Sequence, residues 1–322
     1  LPVKKIIFMG GTMKIGKKAI LAAVIALTLV TGTAFAQKTY HIGVTLYDRD
    51  QFISSLEQAI LEAAKKYPNV IVDSQDAKQD VNQQMAQVDV FATKKYDAII
   101  VNLINTDTVE TIIQRAKGIP TIFVNRRPRD AVIDGVKTAY VGSQEYDAGR
   151  MQGEFLAQFF KGKKEIRYVL FMGQLGLENT NERTRGVKET LQKAGFTLTK
   201  VYEDTAEWDR WKAMNQMQQL LGTGKQFDVV ICNNDEMALG AIEAMKALKM
   251  DLKKIPVVGI DATPPAKEAV KAGDMAMTVF QNAKAQGAVA LEFALKAAQG
   301  QKIEKYGWVP FEPVTINNVS KY

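Results

Sequence analysis

Polar side chains recur just after apolar runs in this sequence: Asp50, Asn125 with Arg126 and Arg127, Asn179 with Arg183, Asn234, Asp261 and Gln281. Aromatic residues accompany them, Tyr47 and Phe52 early and Trp208 late. Carboxylates accept from hydroxyls, amides and guanidinium groups donate in fixed geometry, and flat rings cover C–H surfaces. This is the chemistry of holding a neutral polyhydroxyl molecule. Two acids, Asp50 and Asp261, against two cations, Arg126 and Arg183, leave such a site near neutral, which disfavours phosphate or a multiply charged ligand. Each residue also has a plainer role open to it. Asp50 fits a turn, Phe52 a staple on the next helix, Trp208 a lobe core or surface, and the arginines solvation or pairing. What argues for a joint function is their shared position at strand ends in both halves of the chain.

The elements that must position them follow from the apolar pattern. Residues 228–247, DVVICNNDEMALGAIEAMKA, open with a run (Val229 to Cys232) that reads as a strand buried on both faces. A polar turn follows, and then Ala238, Ala241, Ile242, Met245 and Leu248 at helical spacing, with Asn234 or Asp235 placed to cap the helix. In an open α/β sheet, ligands bind outside the carboxyl ends of the strands. The same alternation begins at IGVTL (42–46), which leads to a helix with a Ser54/Glu57 capping box and the apolar face Ile53, Leu56, Ile60, Ala63 and Tyr67. It continues through VIVD (70–73), a helix on Val81, Met85, Val88 and Ala92, AIIVN (98–102), a helix on Val109, Ile112, Ile113 and Ala116, and TIFVN (121–125).

After AYVGS (139–143) a second series has helices on Ala148, Met151, Phe155 and Phe159, on Val187 and Leu191, and on Trp211, Met214, Met217 and Leu221. Its strands are YVLFM (168–172), LTKVY (198–202) and PVVGID (256–261). Short connections predict right-handed βαβ units. DAIIVN followed by GIPTIFVN parallels DVVICN followed by KIPVVGID, which predicts two like lobes.

Composition narrows the function classes. Residues 13–36 carry a secretory pattern: Met13, basic Lys14, Lys17 and Lys18, an apolar segment from Ala19 to about Val30, and Ala34-Phe35-Ala36 before Gln37. Export, with cleavage near Ala36, is the expectation. Residues 1–36 hold five lysines and no acids, so the formal charge of +7 falls to +2 beyond them, 37 basic against 35 acidic residues. That balance gives no reason to invoke nucleic acid. GTMKIGKK (11–18) misses a phosphate loop by ending in Lys where a hydroxyl is needed. One Cys, Cys232, and one His, His41, leave nothing for a disulfide, a zinc site or a His-based triad.

The pieces IGVTLYDRDQF (42–52), DAIIVN, AYVGS, TAEWDR (205–210), NNDEMALGAIEA (233–244), VGIDATP (258–264) and TVFQ (278–281) resemble the periplasmic sugar-binding proteins of ABC transporters. The resemblance spans residues 40–317 and lies in the ribose- and galactose/glucose-binding cluster. It implies the type I periplasmic binding protein fold, α/β, with two Rossmann-like lobes of parallel sheet joined by a three-segment hinge. The lobes would comprise residues 37–142 with 281–309 and residues 143–280 with 310–322, with crossings near 141–143, 281–282 and 308–310.

Carried over, it makes Asp50, Phe52 and Asn125 first-lobe ligand contacts, Arg126 a contact of the ribose type, and Arg183, Trp208, Asn234 and Asp261 second-lobe contacts. Gln281 becomes the contact at the second crossing. Leu177 and Asn179 stand where the galactose/glucose type has His and Asp, and GKKEIRYVL (162–170) lacks that type's calcium-binding acids. VNRRP (124–128), TAEWDR and IDATP look more like the inositol- and rhizopine-binding branch.

The resemblance therefore implies a monomer that needs no cofactor or metal. It would bind a cyclitol such as myo-inositol, with galactose, glucose or a pentose as competitors. An inner-membrane permease is the expected partner, and a chemoreceptor or sensor kinase is a further one. A sugar-responsive transcription regulator shares the fold but would need a helix-turn-helix where the export signal stands. A glycosidase pair, Asp50 with Asp261, is disfavoured because the arginines should keep both carboxylates ionised.

Overall fold

Uninterrupted apolar runs form the central strands, because strands covered on both faces must be apolar throughout. The computed structural model describes residues 38–322; the expected signal peptide and the near match to a phosphate loop lie outside the described residues. Strands β1 (Tyr40–Leu46), β2 (Val70–Asp76), β3 (Ala98–Val101), β4 (Thr121–Val124), β5 (Thr138–Gly142) and β11 (Tyr306–Trp308) form one sheet in the order β11-β5-β4-β3-β1-β2. Strands β6 (Glu165–Met172), β7 (Thr197–Thr205), β8 (Val229–Cys232), β9 (Val257–Val258), β10 (Met277–Phe280) and β12 (Glu312–Thr315) form the other, β12-β10-β9-β8-β6-β7. Pairing is parallel throughout except for β12 on β10. The two orders follow one pattern, so the local likeness of the two halves extends to topology.

Nine α-helices cover the sheets among the described residues: α1 (Gln51–Ala64), α2 (Val81–Thr93), α3 (Val109–Arg115), α4 (Glu145–Phe159), α5 (Glu178–Lys193), α6 (Arg210–Gly222), α7 (Asp235–Ala247), α8 (Pro264–Ala272) and α9 (Ala283–Ala298). The chain passes between the sheets three times. After β5 it enters α4, which packs on α5 and the second sheet; after β10 it enters α9, which packs on α1 and the first sheet; and β11 leads directly to β12. Among the described residues no helix is long and apolar enough to cross a membrane.

Several local expectations are corrected. The Ser54/Glu57 capping box does not form. α1 starts at Gln51, because the Asp50 carboxylate accepts from the Ile53 backbone N–H at 2.8 Å. Glu57 instead grips Arg49 through both oxygens, at 2.8 and 2.7 Å. In α2 the fully buried face is Gln84, Gln87, Val88 and Phe91, with Met85 packed against that core and Val81 and Ala92 only partly buried. Both glutamines satisfy strand-end carbonyls, Gln84 on Asn102 O at 2.9 Å and Gln87 on Asp76 O at 2.8 Å. Tyr67, Phe159, Trp211 and Leu248 are exposed, because each lies at or past a helix end where the periodic face overruns the core. The strand expected over 256–261 is only Val257–Val258, with Asp261 rejoining β10 through an isolated parallel bridge to Phe280.

Close packing of α4 on α5 depends on glycine. A Cβ on Gly149 of α4 would strike the Arg183 carbonyl of α5 and lie 2.8 Å from Val187 N. Gly149→Ala should therefore destabilise the fold by about 1–3 kcal/mol, the usual cost of overpacking. Urea denaturation reads this as a lower midpoint at unchanged slope; an unmoved midpoint would mean that α4 and α5 separate without penalty.

Candidate functional site

The carboxyl ends of the two sheets face one small cavity. The first sheet contributes Tyr47, Asp50, Phe52 and Ile53 from the β1–α1 connection and Asn125 and Arg126 after β4. The second contributes Asn179 and Arg183 from α5, Trp208 after β7, Asn234 after β8, Asp261 after β9 and Gln281 after β10. All nine residues expected from the sequence line it. Tyr47 and Asn179, noted beside them, line it too, and Ile53 was not anticipated. Arg127 does not belong to the set: it pairs with Asp130 at 2.7 Å and lies against the Tyr306 and Trp308 rings.

On the first side, Asp50 is held between two donors, the Ile53 N–H and the Tyr47 hydroxyl. The Arg126 guanidinium lies flat on the Tyr47 ring, 3.4 Å from its centre, a cation–π contact. Its Nη1 donates to Leu103 O at 3.1 Å and Ile104 O at 3.0 Å. Asn125 adopts a left-handed backbone (φ +64°), and its side-chain oxygen accepts from Asn102 at 3.3 Å. Asn is among the few residues that tolerate that region, so a turn here and an amide in the cavity are compatible demands.

The second side is built around Arg183. Its Nε donates to Glu145 Oε2 at 2.7 Å, Nη1 to Asn233 O at 2.7 Å and Nη2 to Gln281 Oε1 at 3.1 Å; Nη1 also lies 3.9 Å from Asp261 Oδ1. Asn234 caps α7, accepting from Met237 N at 3.0 Å, and its amide donates to Trp208 O at 3.2 Å. It is therefore both cap and lining residue. Asp235, the other capping candidate, turns inward and accepts from Thr278 Oγ1 at 2.6 Å and Thr263 N at 2.8 Å. Those bonds hold the turn that carries Asp261. Trp208 has a left-handed backbone (φ +70°), and its ring covers Gly173, where a Cβ would collide with it. The Trp208 Nε1 and Gln281 Nε2 groups are buried without a hydrogen-bond partner.

Burial dominates the electrostatics. It raises the Asp50 carboxyl above the ordinary range despite the Ile53 N–H, Tyr47 and Arg126, and raises Asp261 well above it despite Arg183. Burial also works against the Arg183 charge, but Glu145 and Asp261 outweigh it and leave Arg183 above its usual value. Two sequence readings change accordingly. The arginines do not hold both carboxyls in the ordinary range, because desolvation exceeds their attraction. The charge balance is also not two against two, since Glu145 and Asp235 stand directly behind the lining, fully buried.

A small, polar, aromatic-walled cavity between two α/β lobes defines a small-molecule-binding protein of the two-lobed type. The chain belongs to the periplasmic binding proteins, whose domain model matches residues 42–302. It is 35% identical over 303 residues to a Rhizobium meliloti protein named for rhizopine binding, covering 92% of this chain and 96% of that one. A D-galactose/methyl-galactoside-binding periplasmic protein of Haemophilus influenzae is 32% identical over 301 residues, covering 88% and 90%. A solved ABC-transporter solute-binding protein from Bacillus halodurans with bound myo-inositol superposes with a TM-score of 0.82 at 38% identity, covering 88% and 97%.

The raised carboxyl values have a consequence for stability. Folding favours the protonated forms of Asp50 and Asp261, so their help is complete below the ordinary aspartate range near pH ~4 and is lost as pH rises through the raised values. Asp261→Asn removes the disfavoured charge. The ligand-free variant should melt above wild type at about pH 8, with the gap narrowing toward about pH 4. A gap that stays constant or widens on acidification in a pH series of thermal scans would contradict burial as the cause.

Proposed function

We propose that this protein is exported to the periplasm, captures a cyclitol or monosaccharide in the interlobe cavity, and delivers it to the permease of an ABC importer. The observation that carries this reading is the cavity itself. Its donors and acceptors come from both lobes, the few convergent polar groups that fix the orientation of a small ligand. The ligand would bridge Asp50, Phe52, Asn125 and Arg126 on one side and Arg183, Trp208, Asn234 and Asp261 on the other, with Gln281 at the second crossing. Such contacts exist only with the lobes together and would shift the equilibrium toward closure. The closing bodies would be residues 37–142 with 281–309 and 143–280 with 310–322.

A myo-inositol-like ligand is favoured over a hexose such as galactose. Leu177 is buried in the lobe core and offers a hexose no hydrogen bond, which leaves Asn179 as the polar group at this corner. Unpaired hydroxyls in a closed cavity cost about 1–3 kcal/mol each. The protein would act as a monomer without turnover, and a chemoreceptor or sensor kinase could read the same closed form.

A thermal-shift screen of residues 37–322 against cyclitols, pentoses and hexoses tests the reading. A ligand at one hundred times its dissociation constant adds about 2.7 kcal/mol. A shift with myo-inositol but not glucose is expected; a shift with glucose or galactose alone would overturn the cyclitol preference, and none at all the sugar-class reading. Trp208→Ala should weaken binding by about tenfold or more, as truncation of a buried aromatic anchor does. Trp208→Phe, which keeps a flat face, should lose less, and equal losses would assign Trp208 to packing alone.

A further inference from the structure

Two arginines line the cavity, and Arg183 is the one bonded at every nitrogen. A carboxylate is best held by two parallel N–H groups of one guanidinium. In Arg183 all three nitrogens are committed, Nε to Glu145, Nη1 to Asn233 O and Nη2 to Gln281. In Arg126 Nη1 serves two carbonyls and the cation lies on the Tyr47 ring. Glu145 is the decisive partner. It is fully buried, does not line the cavity, and its second oxygen, Oε1, has no hydrogen-bond partner. It sits in the first turn of α4, where the helix dipole favours a negative charge. Four residues on, Gly149 gives the α4 backbone the close approach to Arg183 that this pairing needs.

We infer that Glu145 is a positioning and specificity residue: by taking the Nε edge of Arg183 and cancelling its charge, it makes the cavity reject anionic ligands and accept uncharged ones. This rests on reading the cavity as a site for small polyhydroxyl ligands. Asp50 and Asp261 add to the effect, since an entering carboxylate would meet their oxygens. Glu145 acts only through Arg183, so its removal should change which ligand is preferred as well as how tightly any ligand is held.

The test compares wild type, Glu145→Gln and Glu145→Asp by calorimetric titration with myo-inositol and D-galacturonate, and by thermal shift with acetate, a carboxylate small enough to need no fit to the ring positions. Wild type should be unmoved by acetate. Glu145→Gln leaves Arg183 charged with only Asp261, 3.9 Å away, to offset it, so acetate should raise its melting temperature, and its preference for galacturonate relative to myo-inositol should grow by about tenfold or more. Glu145→Asp keeps the charge and should lose affinity for the neutral ligand while still excluding acetate, which preserves the test if the Gln variant folds poorly. A Gln variant that weakens both ligands in the same proportion and ignores acetate, or an Asp variant that admits acetate, would overturn the inference. If acetate stabilises the Gln variant while wild type binds no polyol, the inference stands and the proposed function is what fails.

Discussion

A guanidinium withdrawn from water must have every donor and its charge answered, or the fold cannot keep it there. Arg183, 3% exposed, is that group, and much of the second lobe is arranged to answer it. Glu145 comes from α4, the Asn233 carbonyl from the end of β8, and Gln281 from the crossing after β10. These partners lie 38, 50 and 98 residues away in sequence, so the arginine ties together elements that no local rule joins. Losing one partner of such a buried pair typically costs about 3–5 kcal/mol, because the other charge is left behind. The close approach at Gly149 is a precondition of this arrangement.

The first lobe meets the same problem differently. Arg126 is buried at 2% exposure against an aromatic face and two carbonyls, with Asp50 reached through Tyr47. Backbone strain accompanies both solutions. Asn125, Trp208 and Asp261 all have positive φ, conformations that cost on the order of 1–3 kcal/mol each outside glycine and persist where surrounding bonds over-determine them. Here those bonds are visible: Asn102 on Asn125, Asn234 on the Trp208 carbonyl, and the Asp235–Thr263–Thr278 group beneath Asp261. Strained lining residues held by these bonds give each side of the cavity polar groups that are fixed before a ligand arrives.

The cavity lining was legible because parallel α/β topology converts a one-dimensional mark, a polar residue just after an apolar run, into a place in space. Asn234 shows the rule at its clearest, with Cys232 ending the strand and Met237 receiving the cap. What stands behind the lining was not legible. Glu145 reads as an ordinary acid in the first turn of a helix, and nothing near it in the chain announces Arg183. Gln152 is similar: fully buried in α4, it donates to Cys232 O and Gly259 O, 80 and 107 residues away. Helix faces were misread for the same reason, since Gln84 and Gln87 are buried through bonds to distant carbonyls that periodicity does not count. The Ser54/Glu57 box failed because an equally good cap, Asp50, stood four residues earlier and also served the cavity.

The hinge follows from where these buried groups sit. Glu145 lies three residues past Gly142 and Gln281 follows β10, so two of the three partners of Arg183 adjoin crossings between the lobes. A third link, Gln286 to Ser143 at 3.1 Å, binds the first crossing to the second. Direct contacts across the rest of the cleft are weak by comparison: Gln174 to Gln79 at 3.4 Å, and Arg127 to Glu178 at 3.8 Å with both side chains partly exposed. Partly exposed pairs of that kind contribute about 0–1 kcal/mol. The closed arrangement therefore draws little from the rim. In the proposed function a ligand contacting Arg183 and Gln281 would act on the two groups wired to the crossings, so its binding energy would enter where the lobes are joined and bias closure from there.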